Sequence, residues 1–127
     1  MNTVAVEWRR LVHDGRTCDR CGDTGAMLRQ LVASLDAECA GQGTRVKLKE
    51  TELGPERIAE SNLVLIEGQP LERLLAHIAV GHTHCASCEE LTGQEQACRA
   101  FQLAGETHEV PPPYLVRQAV CRIAACC

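Results

Sequence analysis

Aromatic residues are nearly absent, with one Phe, one Tyr and one Trp in 127 positions. Any core must therefore be aliphatic, drawn from Leu, Val, Ile and Ala. Positive charge is not in excess either. The net charge is −4 with no basic stripe, which removes the electrostatic case for nucleic acid or an anionic membrane as partner. No run approaches the roughly 18 apolar residues of a membrane span. The opening Met1-Asn2-Thr3-Val4 has neither the basic nor the apolar region of a signal peptide. No phosphate-binding glycine loop occurs, so neither a nucleotide nor an organic cofactor is expected. These absences predict a single cytoplasmic domain over residues 1–127.

Cysteine is the residue in excess, at nine. In a reducing compartment structural disulfides rarely persist, and cysteines there serve metals or redox chemistry more often than stapling. The odd count also leaves at least one thiol unpaired.

The hydrophobic pattern places these thiols on elements. Val4, Val6 and Trp8 alternate with Ala5 and Glu7 and predict a first strand. His13-Asp14-Gly15-Arg16 is a turn. Leu28, Leu31, Val32, Leu35 and Cys39 recur at helical spacing. The helix they predict is capped by Asp23 or Thr24 and ended by Gly41 and Gly43. Arg45 to Thr51 alternates as an edge strand, Pro55 to Ser61 is a short helical turn, and Leu63-Val64-Leu65-Ile66 is a strand covered on both faces. Leu71 to Ala79 fits a strand or a helix. Residues 80–98 read as a cysteine- and histidine-rich loop insertion. A hairpin around Ala104-Gly105 and a helix from Tyr114 to Ala124 follow, and residues 125–127 form a flexible Cys-Cys tail. Strands separated by helices imply an α/β fold with a mixed sheet of about four strands flanked by helices.

Cys18 and Cys21 form a C-x-x-C pair between the first strand and the first helix. The helix N-terminus favours thiolate over thiol there, which suits a redox couple or a soft-metal clamp. Cys85, Cys88 and Cys98 form a second group, with His82 and His84 beside them. Three thiolates plus His84 or Cys121 would complete a tetrahedral zinc site. The adjacent Cys126 and Cys127 form only a strained disulfide with each other, and on a mobile tail they would capture or deliver an ion. Cys39 lies on the apolar helix face and reads as buried and inert. His13, His77 and His108 read as surface or core residues.

The element order, with C-x-x-C after the first strand, resembles the thioredoxin fold over most of the chain. More closely, Thr17-Cys18-Asp19-Arg20-Cys21-Gly22-Asp23-Thr24-Gly25, Lys49-Glu50-Thr51, Ser61-Asn62 and His84-Cys85-Ala86-Ser87-Cys88 resemble small, cysteine-rich, thioredoxin-like prokaryotic domains catalogued without an assigned function. Working thioredoxins usually precede the pair with Trp and enclose Gly-Pro; here Thr17 precedes it and Asp19-Arg20 is enclosed. They also carry a cis-proline before the third strand, which guides substrate and helps keep metals off the thiols. Ser61 or Asn62 stands there in this chain, which opens room for a metal.

The pattern therefore points first to thiolate-based binding and handling of a soft metal or metalloid (Hg, As, Cu or Zn). Cys18, Cys21, Cys85, Cys88, Cys98, Cys126 and Cys127, with His84 as a further candidate, would be the ligands, exchanging the ion through successive thiolates. The alternative is a thiol–disulfide oxidoreductase, the activity expected if the chain is an enzyme. Cys18 would attack, Cys21 would resolve and the other pairs would relay, with a thiol/disulfide protein as partner. A binding module with a structural zinc comes third.

Overall fold

A computed structural model describes residues 2–127, and its first strand follows the alternation just noted. In β1 (Asn2–Leu11) the side chains of Val4, Val6, Trp8 and Leu11 are buried. The Cβ alternation of a strand places Val4, Val6 and Trp8 on one face. β1 lies inside a four-stranded sheet of order β2-β1-β3-β4. β2 (Thr44–Leu53) runs parallel to it at one edge, β3 (Leu63–Ile66) runs antiparallel on its other side, and β4 is Gln69–Pro70. Val6 stands between Leu48 of β2 and Ile66 of β3. All four residues of β3 are buried.

Helix α1 (Asp19–Ala40) crosses from β1 to β2 and buries Cys21, Thr24, Gly25, Leu28, Val32, Leu35 and Cys39. It begins four residues before the expected cap at Asp23. The Thr24 hydroxyl donates back to the Arg20 carbonyl at 3.1 Å, the i−4 bond of a residue inside a helix, while Cys18 takes the extended conformation of the N-cap. Gly25 is required by packing. A Cβ there would fall in the Trp8 indole, 2.6 Å from Cζ3 and 2.9 Å from Cζ2. Helix α4 (Pro113–Ala124) packs against α1 and β1 and buries Leu115, Val116, Ala119 and Val120. The fold is thus α/β, with a mixed four-stranded sheet flanked by helices.

Residues 80–98 depart from the expected loop. After the short helix α2 (Leu71–Leu74), the chain forms β5 (Ile78–His84), helix α3 (Ala86–Thr92), β6 (Ala97–Leu103) and β7 (Glu106–His108). The three strands form an antiparallel sheet of order β5-β6-β7. In β5 only Ile78 is buried, so no apolar stripe marks the strand. Its ladder with β6 runs from Ile78↔Leu103 to His84↔Ala97.

The tail also departs from expectation. Ala125 adopts a left-handed conformation with φ 54° and turns the chain back. Cys126 is buried and disulfide-bonded to Cys39, and Cys127 is bonded to Cys121. One apolar cluster runs from the main sheet through α1 and α4 to Phe101 of β6, and it includes the cysteines of both C-x-x-C pairs.

A five-thiol centre between two helix starts

Both C-x-x-C pairs occupy the same position on their elements. Cys18 is the N-cap of α1 and Cys21 lies in its first turn; Cys85 is the N-cap of α3 and Cys88 lies in its first turn. The spacing puts both sulfurs of a pair on one side of a helix start. The fold brings the two starts together. The sulfurs of Cys18, Cys85 and Cys88 all lie within 4.8 Å of one another. Cys88 Sγ is 3.1 Å from Cys98 Sγ on β6, and the Cys21 thiol faces Cys18. Two cysteine groups that are 64 residues apart in sequence thus form one constellation of five free, buried thiols.

Arg20, enclosed by the first pair, fastens the halves together. Its guanidinium is buried and donates to the Cys98 carbonyl at 3.1 Å, the Arg99 carbonyl at 3.3 Å and the His84 carbonyl at 3.1 Å. It also pairs with Glu109 at 2.9 Å. One side chain of α1 therefore satisfies backbone acceptors at the end of β5 and the start of β6, the strands that flank α3.

The thiols are not equivalent. No side chain makes a cap hydrogen bond of full geometry at the start of α1, but hydrogens converge on the Cys18 sulfur. The Cys21 and Cys88 thiols, then the Cys21 backbone N–H and the Ser87 hydroxyl, hold its pKa far below the ordinary thiol value. Cys98 is lowered to about 6, chiefly by the Cys88 thiol, with the Ser61 hydroxyl assisting. Cys21 and Cys88 are pushed up, because each donates to a neighbouring sulfur and is desolvated. Burial raises Cys85. At neutral pH the metal-free centre therefore holds two thiolates, Cys18 and Cys98, among three thiols.

Two shallow clefts reach the centre from outside. One, of about 410 Å³, is lined by Arg16, Thr17, Cys18, Asp19, Ser87 and Glu90. The other, of about 320 Å³, touches Cys85, Ser87, Arg20 and Glu109. Cys18 and Cys85 thus line the clefts, whereas Cys21, Cys88 and Cys98 lie behind them, fully buried.

The remaining candidates lie elsewhere. His84, expected as a candidate ligand, directs Nε2 to Glu89 at 2.8 Å and is half exposed. His82 Nε2 is 3.2 Å from the Ala59 carbonyl oxygen. Cys121, expected as an alternative fourth ligand, is bonded to Cys127; the further sulfur beside Cys85 and Cys88 is that of Cys18 instead. Cys126 and Cys127 do not act as a mobile adjacent pair, since each reaches back to a helix cysteine. Cys39 is buried as expected but is not inert, because it carries the bond to Cys126. Ser61 and Ser87 were not among the sequence candidates. Ser87 sits inside the second C-x-x-C, which is a local signal; Ser61 has none beyond its place before β3.

The chain belongs to the family described as Domain of unknown function (DUF2703), whose model matches residues 4–120. The matched range contains all five clustered cysteines and ends before Cys121. A protein of Archaeoglobus fulgidus described as "Uncharacterized protein" is 34% identical over 117 residues, covering 89% of this chain and 82% of its own length. No solved structure matches the chain.

Proposed function

We propose that the five-thiol centre binds and hands on a soft metal or metalloid ion of the Zn, Cu(I), Hg or As class, on a thioredoxin-like scaffold. The observation that carries this reading is the mutual approach of Cys18, Cys85 and Cys88 within 4.8 Å. A zinc–sulfur bond of about 2.3 Å sets tetrahedral sulfur–sulfur edges at about 3.8 Å. A small contraction of these side chains therefore closes a thiolate shell. A redox couple needs two sulfurs, whereas three that are mutually close, with Cys21 and Cys98 in contact, match a coordination sphere. Soft thiolates select these ions over hard cations. The fifth thiol supports transfer over a static structural zinc, because it lets an incoming ligand add before an outgoing one leaves. The clefts at Cys18 and Cys85 supply the exchange path. The two thiolates already present offset the charge of a divalent ion.

Thiol–disulfide exchange at Cys18 and Cys21 is the second reading, favoured by the depressed Cys18 pKa. The near-complete burial of both residues, 3% and 0% exposed, weighs against attack on a partner protein's disulfide.

The test is metal titration of the anaerobically reduced chain against a chromophoric chelator, compared with Cys18→Ser and Cys85→Ser. Each variant should lose more than about 100-fold in affinity, beyond the 10–100-fold of outer-shell changes. Unchanged affinity in both, with a reversible disulfide forming between Cys18 and Cys21, would sink metal handling and promote the redox reading.

A further inference from the structure

Four cysteines lie outside the five-thiol centre, and they too converge. Cys39 lies in the last turn of α1, Cys121 lies in the last turn of α4, and Cys126 and Cys127 are brought back to them by the left-handed Ala125. The sulfurs of Cys39, Cys126 and Cys127 all lie within 4.8 Å of one another, and Cys121 is bonded to Cys127. We infer that these four cysteines are a second soft-metal site, closed while the two disulfides stand and opened when both are reduced. This inference does not depend on the reading of the first centre.

The disulfides are not the only bonds that assemble this site. Gln42 Nε2 donates to the Cys126 carbonyl at 2.8 Å. The Ala125 N–H donates to the Cys121 carbonyl at 2.9 Å. Arg117 on α4 makes a two-pronged pair with Glu38 on α1, next to Cys39, at 2.6 and 2.8 Å. None of these contacts uses a sulfur atom, so reduction of the disulfides breaks none of them directly and leaves four thiols to share one ion. Three or four thiolates suit zinc, cadmium or Cu(I).

The opening step balances with a dithiol reductant. Each protein disulfide takes two electrons from the reductant, which closes to its own disulfide, and two protons end on the freed sulfurs. Metal binding then displaces thiol protons to solvent. Exchange with an oxidised dithiol runs the sequence backwards, re-forming the protein disulfides and expelling the ion. The site is thus a store that a change in thiol redox state loads and unloads.

Native mass spectrometry with added cadmium reads ions and missing hydrogens on the same molecule. The full chain with both tail disulfides should bind one ion fewer than the fully reduced chain. Replacing Cys39, Cys121, Cys126 and Cys127 with Ser should abolish the difference. The Cys18→Ser/Cys85→Ser/Cys88→Ser variant should bind no ion when its tail is oxidised and one when reduced. Equal counts in oxidised and reduced wild type overturn the inference, as does retention of the redox-dependent ion in the tail variant. The wild-type comparison decides alone if a variant does not fold. Failure of the first centre shows separately, as a triple variant that binds as many ions as wild type.

Discussion

Arg20→Met removes the guanidinium that joins the two halves of the thiol centre, and the structure sets the size of the effect. Three carbonyl acceptors lose their donor. The bond to the Cys98 carbonyl is the fully buried one, and an acceptor stranded there costs about 2–3 kcal/mol. The His84 and Arg99 carbonyls are in part-buried contacts, where water replaces the donor at about 0.5–1 kcal/mol each. Glu109 is 64% exposed in its side chain, so its ion pair adds at most a few tenths of a kcal/mol after screening. Met refills most of the stem volume. The expected loss is about 3–5 kcal/mol, a large part of the roughly 5–15 kcal/mol that holds a domain of this size. At roughly 3–5 °C per kcal/mol the melting temperature should fall by about 10–25 °C. Urea unfolding of the metal-free chain measures it, as a lower midpoint at unchanged slope. Glu109→Gln should cost under about 0.5 kcal/mol. A loss below about 1 kcal/mol for Arg20→Met, or an equal loss for Glu109→Gln, would refute the clamp and put the energy in the surface pair.

Gly25→Ala should destabilise by at least about 1–3 kcal/mol in the same assay, because the added methyl meets the Trp8 ring inside a packed core; a neutral or stabilising outcome would contradict the packing of β1 against α1. In the reduced, metal-free chain the ultraviolet thiolate band should persist well below the ordinary thiol pKa and lose a step near pH 6, where Cys98 protonates. Since folding lowers that pKa, the stabilisation from Cys98 is full above the ordinary thiol value of about 9 and lost as pH falls through about 6. Ser61→Ala should move the step upward, and a step that stays in place would remove Ser61 from the centre.

The legible part of the fold was that carried by strong local pattern. The alternation at Val4, Val6 and Trp8, the helical run from Leu28 to Cys39 and the apolar block Leu63 to Ile66 each found its element. The turns at Asp14-Gly15 and Ala104-Gly105 did so as well, with positive φ at both positions. Residues 80–98 were illegible because β5 is stabilised by its ladder and not by an apolar stripe. Cys39 was placed correctly in the core by periodicity, but its partner is 87 residues away, a separation about which no local pattern speaks. Each C-x-x-C pair was legible from its spacing; their union was not, because it depends on Arg20 reaching from α1 to carbonyls on the second sheet.

The two sulfur centres stand at opposite ends of α1, and that placement governs what each can do. At about 1.5 Å per residue, the helix puts Cys18 and Cys39 roughly 30 Å apart. Direct sulfur-to-sulfur transfer between the centres within one chain is therefore excluded, and the relay through successive thiolates expected from sequence stops at the limits of each cluster. The polarity of the helix separates them further. Unpaired N–H groups and partial positive charge at the first turn favour thiolate at Cys18, whereas partial negative charge at the last turn opposes it at Cys39. A disulfide carries no charge, so the C-terminal end of α1 tolerates the oxidised pair better than free thiolates. The same helix thus favours thiolate at Cys18 and favours an uncharged sulfur, disulfide or thiol, at Cys39.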